Sequence, residues 1–296
     1  MKIENVLVIA ESSSTDEPLA LRKALSLAQN RPIAIHLFSV VYSETEEHTT
    51  LLEDEARESL RQSLLDKTRE NTEAIIKREC ADAPNISHEI VWNKNLHNAV
   101  DNLCQQKEFD LIIKTGHRTE SLLHVPTDFH LLRAPHTPAM ILRHHGWASQ
   151  AIVLATIDFA PQKPEQSELN KKVLSAAKQI ADMSNAELHA CYVVACSKVL
   201  LDLDFIHEDS LMAKFKKKHE AELIKFAAEY DITPDRLHLK AGLPEKMIPS
   251  IANSIKADLV VLGTPHRHKA SGLLVGHTSE KILHVLRTDV LTIKPE

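Results

Sequence analysis

Glycine is scarce in this chain, six residues in 296, and half of it is concentrated in one place. Gly263, Gly272 and Gly276 lie in a single stretch, where the backbone is expected to turn sharply or to approach something closely. Cysteine is sparse as well. Cys80, Cys104, Cys191 and Cys196 are scattered with no C-x-x-C pair, which argues against a disulfide framework or a cysteine-built zinc ribbon and fits a reducing compartment. No apolar run approaches the length of a membrane span. Neither sign of charge dominates: the formal net charge is −6, so no overall nucleic-acid footprint is expected. The one basic cluster, Lys214 to Lys218, reads as a solvated helix face. Met1-Lys2-Ile3-Glu4 begins a strand and not a secretion signal. The expectation is a cytoplasmic protein with no membrane span and no DNA binding.

What is present is a balance of 43 % hydrophobic and 26 % charged residues, enough to bury a substantial core in one large or two ordinary domains. Short apolar runs read as strands at Val6–Ala10, Ile33–Val41, Ile86–Val91, Asp110–Lys114 and Ala139–Leu142. Helical spacing falls between them, at Leu19–Ala28, Thr50–Cys80 and Leu96–Gln105. In Thr50–Cys80 the apolar stripe is Leu52, Ala56, Leu60, Leu64, Ile75 and Ile76. The order then repeats. Strands are predicted at Ala151–Ile157, Glu187–Val194, Leu237–Leu239, Leu259–Leu262 and Val290–Ile293. Helices are predicted at Leu169–Met183, Asp209–Tyr230, Pro244–Ile255 and around Ile282–Leu286.

The halves align element by element: Val6-Leu7-Val8-Ile9-Ala10-Glu11 over Val153-Leu154-Ala155-Thr156-Ile157-Asp158, and Phe109-Asp110-Leu111 over Ala257-Asp258-Leu259. A repeat of this length is a duplicated domain, since solenoid repeats are far shorter. Apolar strands alternating with helices imply parallel sheets covered on both faces. The fold class is therefore α/β, two tandem doubly wound Rossmann-like domains with mostly parallel five-stranded sheets. The boundary is placed in Gly146–Gln150, giving domains 1–146 and 147–296.

The glycine-bearing stretch has the layout strand, loop, helix, strand. Leu259 to Leu262 runs into Gly263-Thr264, a loop of His, Arg, Lys, Ser and Gly follows, and Gly276 opens an amphipathic helix. Such a layout places backbone N–H groups and a helix N-terminus around an anion, although a plain turn and helix start make the same demand on glycine.

These features resemble the universal stress protein family, and in particular its tandem E-type members. Gly263-x2-His266-x9-Gly276-His277 has the spacing of that family's G-x2-G-x9-G-[S/T] nucleotide loop, with Thr278 next in line. The resemblance implies ATP or another adenine nucleotide as ligand, with Mg as a companion ion, held at the carboxyl ends of the strands. It implies nucleotide-binding roles for Thr156, Asp158, Val193, Leu262, Gly263, His266, Arg267, Gly276, His277 and Thr278. Asp158 would meet the adenine and ribose side, while Thr156 and Val193 would line the adenine. Two departures stand out: His266 replaces the middle glycine and His277 the Ser/Thr. In the first half Lys114 stands at the first glycine position, His117 at the second, and the third glycine is missing, so the first domain is expected to bind no nucleotide in this manner.

A regulatory nucleotide fits the absence of catalytic signatures. There is no G-x-S-x-G elbow after a strand, no evident Walker lysine and no evident carboxylate pair for activating water, which leaves at most slow ATP hydrolysis. A second reading places a metal, Zn being the suited ion, on His266, His268 and His277. A third dispenses with nucleotide and has the protein act through protein–protein contacts or take an apolar ligand beside the long helices. A homodimer of the tandem chain is also left open.

Overall fold

A computed structural model describes residues 2–10, 17–29, 31–43, 53–80, 85–116, 137–143, 146–159, 164–196, 207–264 and 277–295. The chain divides into two compact units, Lys2–Leu142 and Arg143–Glu296.

The first unit contains β1 (Asn5–Ile9), α1 (Leu19–Ala28), β2 (Ala34–Val41), α2 (Asp54–Glu79), β3 (Ile86–Trp92), α3 (Leu96–Gln106), β4 (Leu111–Thr115) and β5 (Ala139–Leu142). Its strands lie in the order β3-β2-β1-β4-β5, and every described pairing is parallel. The central runs are apolar without alternation because helices cover both faces of such a sheet. Val6, Leu7, Val8, Leu111, Ile112 and Ile113 are all essentially inaccessible. Each such side chain stabilises the fold by roughly 1.5–3 kcal/mol.

The second unit repeats the plan with β6 (Ile152–Ile157), α4 (Pro164–Ser184), β7 (Glu187–Ala195), α5 (Glu208–Ala228), a 3-10 turn (Pro234–Arg236), β8 (Leu237–Gly242), α6 (Pro244–Ser254), β9 (Leu259–Gly263), α7 (His277–Val285) and β10 (Asp289–Ile293). The order is β10-β9-β6-β7-β8, again parallel throughout. From β6 the chain steps to β7 and β8, then returns across to β9 and β10. With right-handed crossovers, that reversal puts α4 and α5 on one face and α6 and α7 on the other. The reversal falls between β6 and β9, which defines the switch point where doubly wound folds take ligands.

An aspartate preceding the fourth strand anchors each sheet. Asp110 Oδ2 accepts from the amides of Glu4 and Asn5, both at 2.8 Å. Asp258 accepts from Ala148 at 3.0 Å and Ile152 at 2.9 Å. These contacts satisfy donors at the start of the first strand of each domain, which have no ladder partner there.

One expectation needs correction. The apolar stripe of α2 is shallow: Thr72 is the helix's single buried residue, Ala56 is exposed and Leu60 is 36 % accessible. The reason is position. α2 lies against β3 and β2, and β3 is the outermost strand and only half-covered itself. Leu52 lies outside the described residues.

Glycine scarcity shows at the helix ends. α4, α5 and α6 are followed by left-handed residues that are not glycine: Asn185, Asp231 and Lys256 at φ 49°, 61° and 54°. Each closes a reverse turn in which the next amide bonds back into the helix: Ala186 to Ala181, Ile232 to Ala227 and Ala257 to Ala252.

Candidate functional site

The site is built from the carboxyl ends of β6, β7 and β9 and the start of α7. Strand β6 pairs with β9 only through Val153–Leu259, Leu154–Val260 and Ala155–Val261. Both strands then run on, to Ile157 and Gly263, without pairing to each other. The crevice that a doubly wound fold offers at its switch point falls over these ends. In the first domain the corresponding strands stay paired one step longer, through Ile9–Lys114.

Strand alternation puts Thr156 and Leu262 on one sheet face, and register with β7 adds Cys191 and Val193 to it. Thr156 is half-buried, whereas Val193 and Leu262 are 7 % and 2 % exposed. Asp158 follows just past β6 and is exposed. Its charge, after the larger effect of burial, pushes the Tyr192 hydroxyl up to about 12. Burial alone pushes the Cys191 thiol to about 12, which makes it a packing group and no nucleophile.

Gly263 ends β9 at a close approach: a Cβ there would lie 3.1 Å from Leu169 and 3.2 Å from Val173 of α4. Its carbonyl accepts from Ser279 Oγ in the first turn of α7 at 3.5 Å. The next residue, Thr264, donates its amide to Ile293 at 2.9 Å. The start of α7 is thus tied to the end of β9. The start of α6 is tied to the middle of α7 by Glu245 and Lys281 at 3.2 Å.

Beneath Asp158 lies a residue that sequence reading missed. Asn170, on α4 and 5 % exposed, accepts the Asp158 amide at 3.0 Å and donates Nδ2 to the Asp158 carbonyl at 2.7 Å. Gln166 adds a donor to the same Oδ1 at 3.3 Å. The only trace in the sequence is a lone asparagine on the apolar side of a helix.

Of the residues singled out from the sequence, Thr156, Asp158, Val193, Leu262 and Gly263 are gathered on β6, β7 and β9. His266, Arg267, His268 and Gly276 lie outside the described residues. His277 and Thr278 open α7, and their side chains also lie outside them. The three-histidine metal reading therefore rests on side chains that are not described. Among the described residues no group of three His, Cys, Asp or Glu is placed to hold a metal ion. No helix there is long and apolar enough to cross a membrane.

The first-half register needs a correction. Val6 pairs with Leu111 as Val153 pairs with Leu259, so Thr115, not Lys114, occupies the Gly263 position. Lys114 matches Leu262; it is 7 % exposed and donates to the Thr115 carbonyl at 2.7 Å. An apolar run one residue shorter, Leu111 to Ile113 against Leu259 to Leu262, hid this offset.

Two doubly wound domains, each with its switch point between the first and fourth strands, define a duplicated α/β protein. The chain belongs to the universal stress protein family, whose model matches it twice, over residues 2–143 and 153–294. It is 28 % identical over 299 residues to Universal stress protein E of Escherichia coli (strain K12), covering 99 % of this chain and 94 % of that protein. The Universal stress protein E homolog of Haemophilus influenzae is 27 % identical over 305 residues, covering 100 % and 98 %. A crystal structure assigned to the same family, from Pseudomonas aeruginosa UCBPP-PA14, superposes with a TM-score of 0.71 at 26 % identity, covering 99 % of this chain and 94 % of that one.

Proposed function

We infer that the second domain binds ATP or a related adenine nucleotide as a regulatory ligand. The observation that carries this reading is the early parting of β6 and β9 after Ala155–Val261, set against the longer pairing of β1 and β4. The strands part earlier in the half that retains the glycine loop spacing and later in the half that lost it. Thr156 and Val193 would face the base, and Asp158 would accept hydrogen bonds from ribose hydroxyls. Backbone amides of the loop after Gly263, the positive end of α7 and Arg267 would take the phosphates. The chain's own contribution is to hold and orient the ligand.

The test is native mass spectrometry of protein purified from cells, before and after denaturation. An adenine nucleotide should leave with denaturation. The Gly276→Asp variant should retain none, because a carboxylate then blocks the backbone approach and repels phosphate. A bare chain mass, or unchanged affinity in the variant, would count against this reading; a chain carrying zinc or an apolar molecule would favour the alternatives.

A further inference from the structure

The geometry points to Asn170 as the positioning residue of the second-domain site, holding the main chain of Asp158 so that its carboxylate meets the ligand at one place. This rests on the reading that the crevice takes an adenine nucleotide.

The need arises from the crevice itself. Past Ala155, β9 no longer pairs with β6, and Asp158 lies beyond the last β6–β7 pair, Ile157–Tyr192. Its N–H and C=O have left the ladder at the point where a ligand-binding residue must hold still. Asn170 replaces the lost neighbour. Its amide group donates to the Asp158 carbonyl and accepts from the Asp158 N–H, as a strand peptide would. The partners also assign the amide orientation, since the N–H can bond only to Oδ1 and the carbonyl only to Nδ2.

The position is one where packing alone would select an apolar side chain. Arg22-Lys23-Ala24-Leu25 of α1 aligns with Lys171-Lys172-Val173-Leu174 of α4, and the buried sets Ala20, Leu21, Ala24 and Leu169, Asn170, Val173 coincide. The first domain therefore carries Leu21, completely buried, where the second carries Asn170. Burying an amide in a helix–sheet contact costs free energy unless its bonds are made. Those bonds are made by Asn170, in the domain whose first and fourth strands part earlier. The flanking residues Leu169 and Val173 pack on the Gly263 position, so one stretch of α4 holds both strand ends that border the crevice.

The experiment compares wild type, Asn170→Leu, Asp158→Ala and the double variant. Leucine is the side chain the first domain accommodates, so the fold should survive, and thermal melting checks this. Asn170→Asp, which keeps the acceptor but not the donor, is the second variant. ATP affinity is measured by calorimetry, and exchange of the Asp158 amide by NMR. Asn170→Leu should weaken ATP about tenfold, and the double variant should lose no more than Asp158→Ala alone, because contacting residues in one network are non-additive. The Asp158 amide should exchange much faster in Asn170→Leu while those of β6 stay protected. Additive losses, or unchanged affinity with unchanged exchange, would overturn the positioning role while leaving nucleotide binding intact. A wild-type protein that binds no adenine nucleotide would overturn both, and so is distinguishable from failure of the clamp alone.

Discussion

Lys256 holds a backbone conformation that glycine would adopt without strain. It is exposed, follows α6 at φ 54°, and closes the turn in which Ala257 bonds back to Ala252. A left-handed non-glycine residue costs about 1–2 kcal/mol, part of which glycine would return through its freer unfolded chain. Lys256→Gly should therefore stabilise the protein by about 0.5–1 kcal/mol in urea melts; destabilisation would mean the lysine side chain contributes more than its strain costs. At this scale the sequence was least legible. Gly263 reads from sequence as a loop glycine, yet its close approach to Leu169 and Val173 depends on a helix nearly a hundred residues away in the chain. Asn170 carries no periodic signal at all, because its partners are backbone atoms.

Elements were legible to within a few residues, and the misses have physical causes. α4 begins at Pro164, ahead of Leu169, because its exposed first turn offers no apolar spacing and only proline marks the start. β8 runs on to Gly242 past Lys240, whose side chain is exposed on this outermost strand and interrupts the apolar run. A pH response belongs to this scale. His189 and His238, on β7 and β8, stack with ring centroids 5.2 Å apart and share a 2.9 Å hydrogen bond between Nδ1 and Nε2. His36 takes the same place on β2, bonded to Ser87 at 2.8 Å. Burial first, then the charges of His189 and Lys240, hold His238 below its ordinary value; burial, then Lys107, does the same for His36. Folded histidines that resist protonation make the unfolded chain bind more protons. Their stabilisation is therefore complete above about pH 6.5 and is lost as pH falls through the folded values. Melting temperature should drop between pH 7.5 and 5, and His238→Gln should flatten that slope; an identical slope would assign the acid response elsewhere.

For the molecule as a whole, duplication was plain in the sequence, because both copies repeat the same buried strands. The difference between the copies was less plain. Loop spacing set the second apart, and strand pairing differs too, running to Ile9–Lys114 in the first and ending at Ala155–Val261 in the second, which no residue pattern announces. The expectation that follows is asymmetric. Glu11→Ala, at the counterpart of Asp158, should leave ATP affinity within about twofold of wild type, a change of under 0.5 kcal/mol, as read by calorimetry. A large loss would return the first domain to the binding apparatus.

The aspartate anchors bear on where the second domain begins as a physical object. Asp258 holds Ala148 and Ile152, while Asp289 holds the Arg143 amide at 2.6 Å and the Trp147 indole at 2.8 Å. The stretch from Arg143 to Ile152 is thus a lead-in fastened by two carboxylates of the domain it precedes. Anyone excising that domain at residue 153, where the family match resumes, would strand both carboxylates and leave the first strand of the sheet without its mooring.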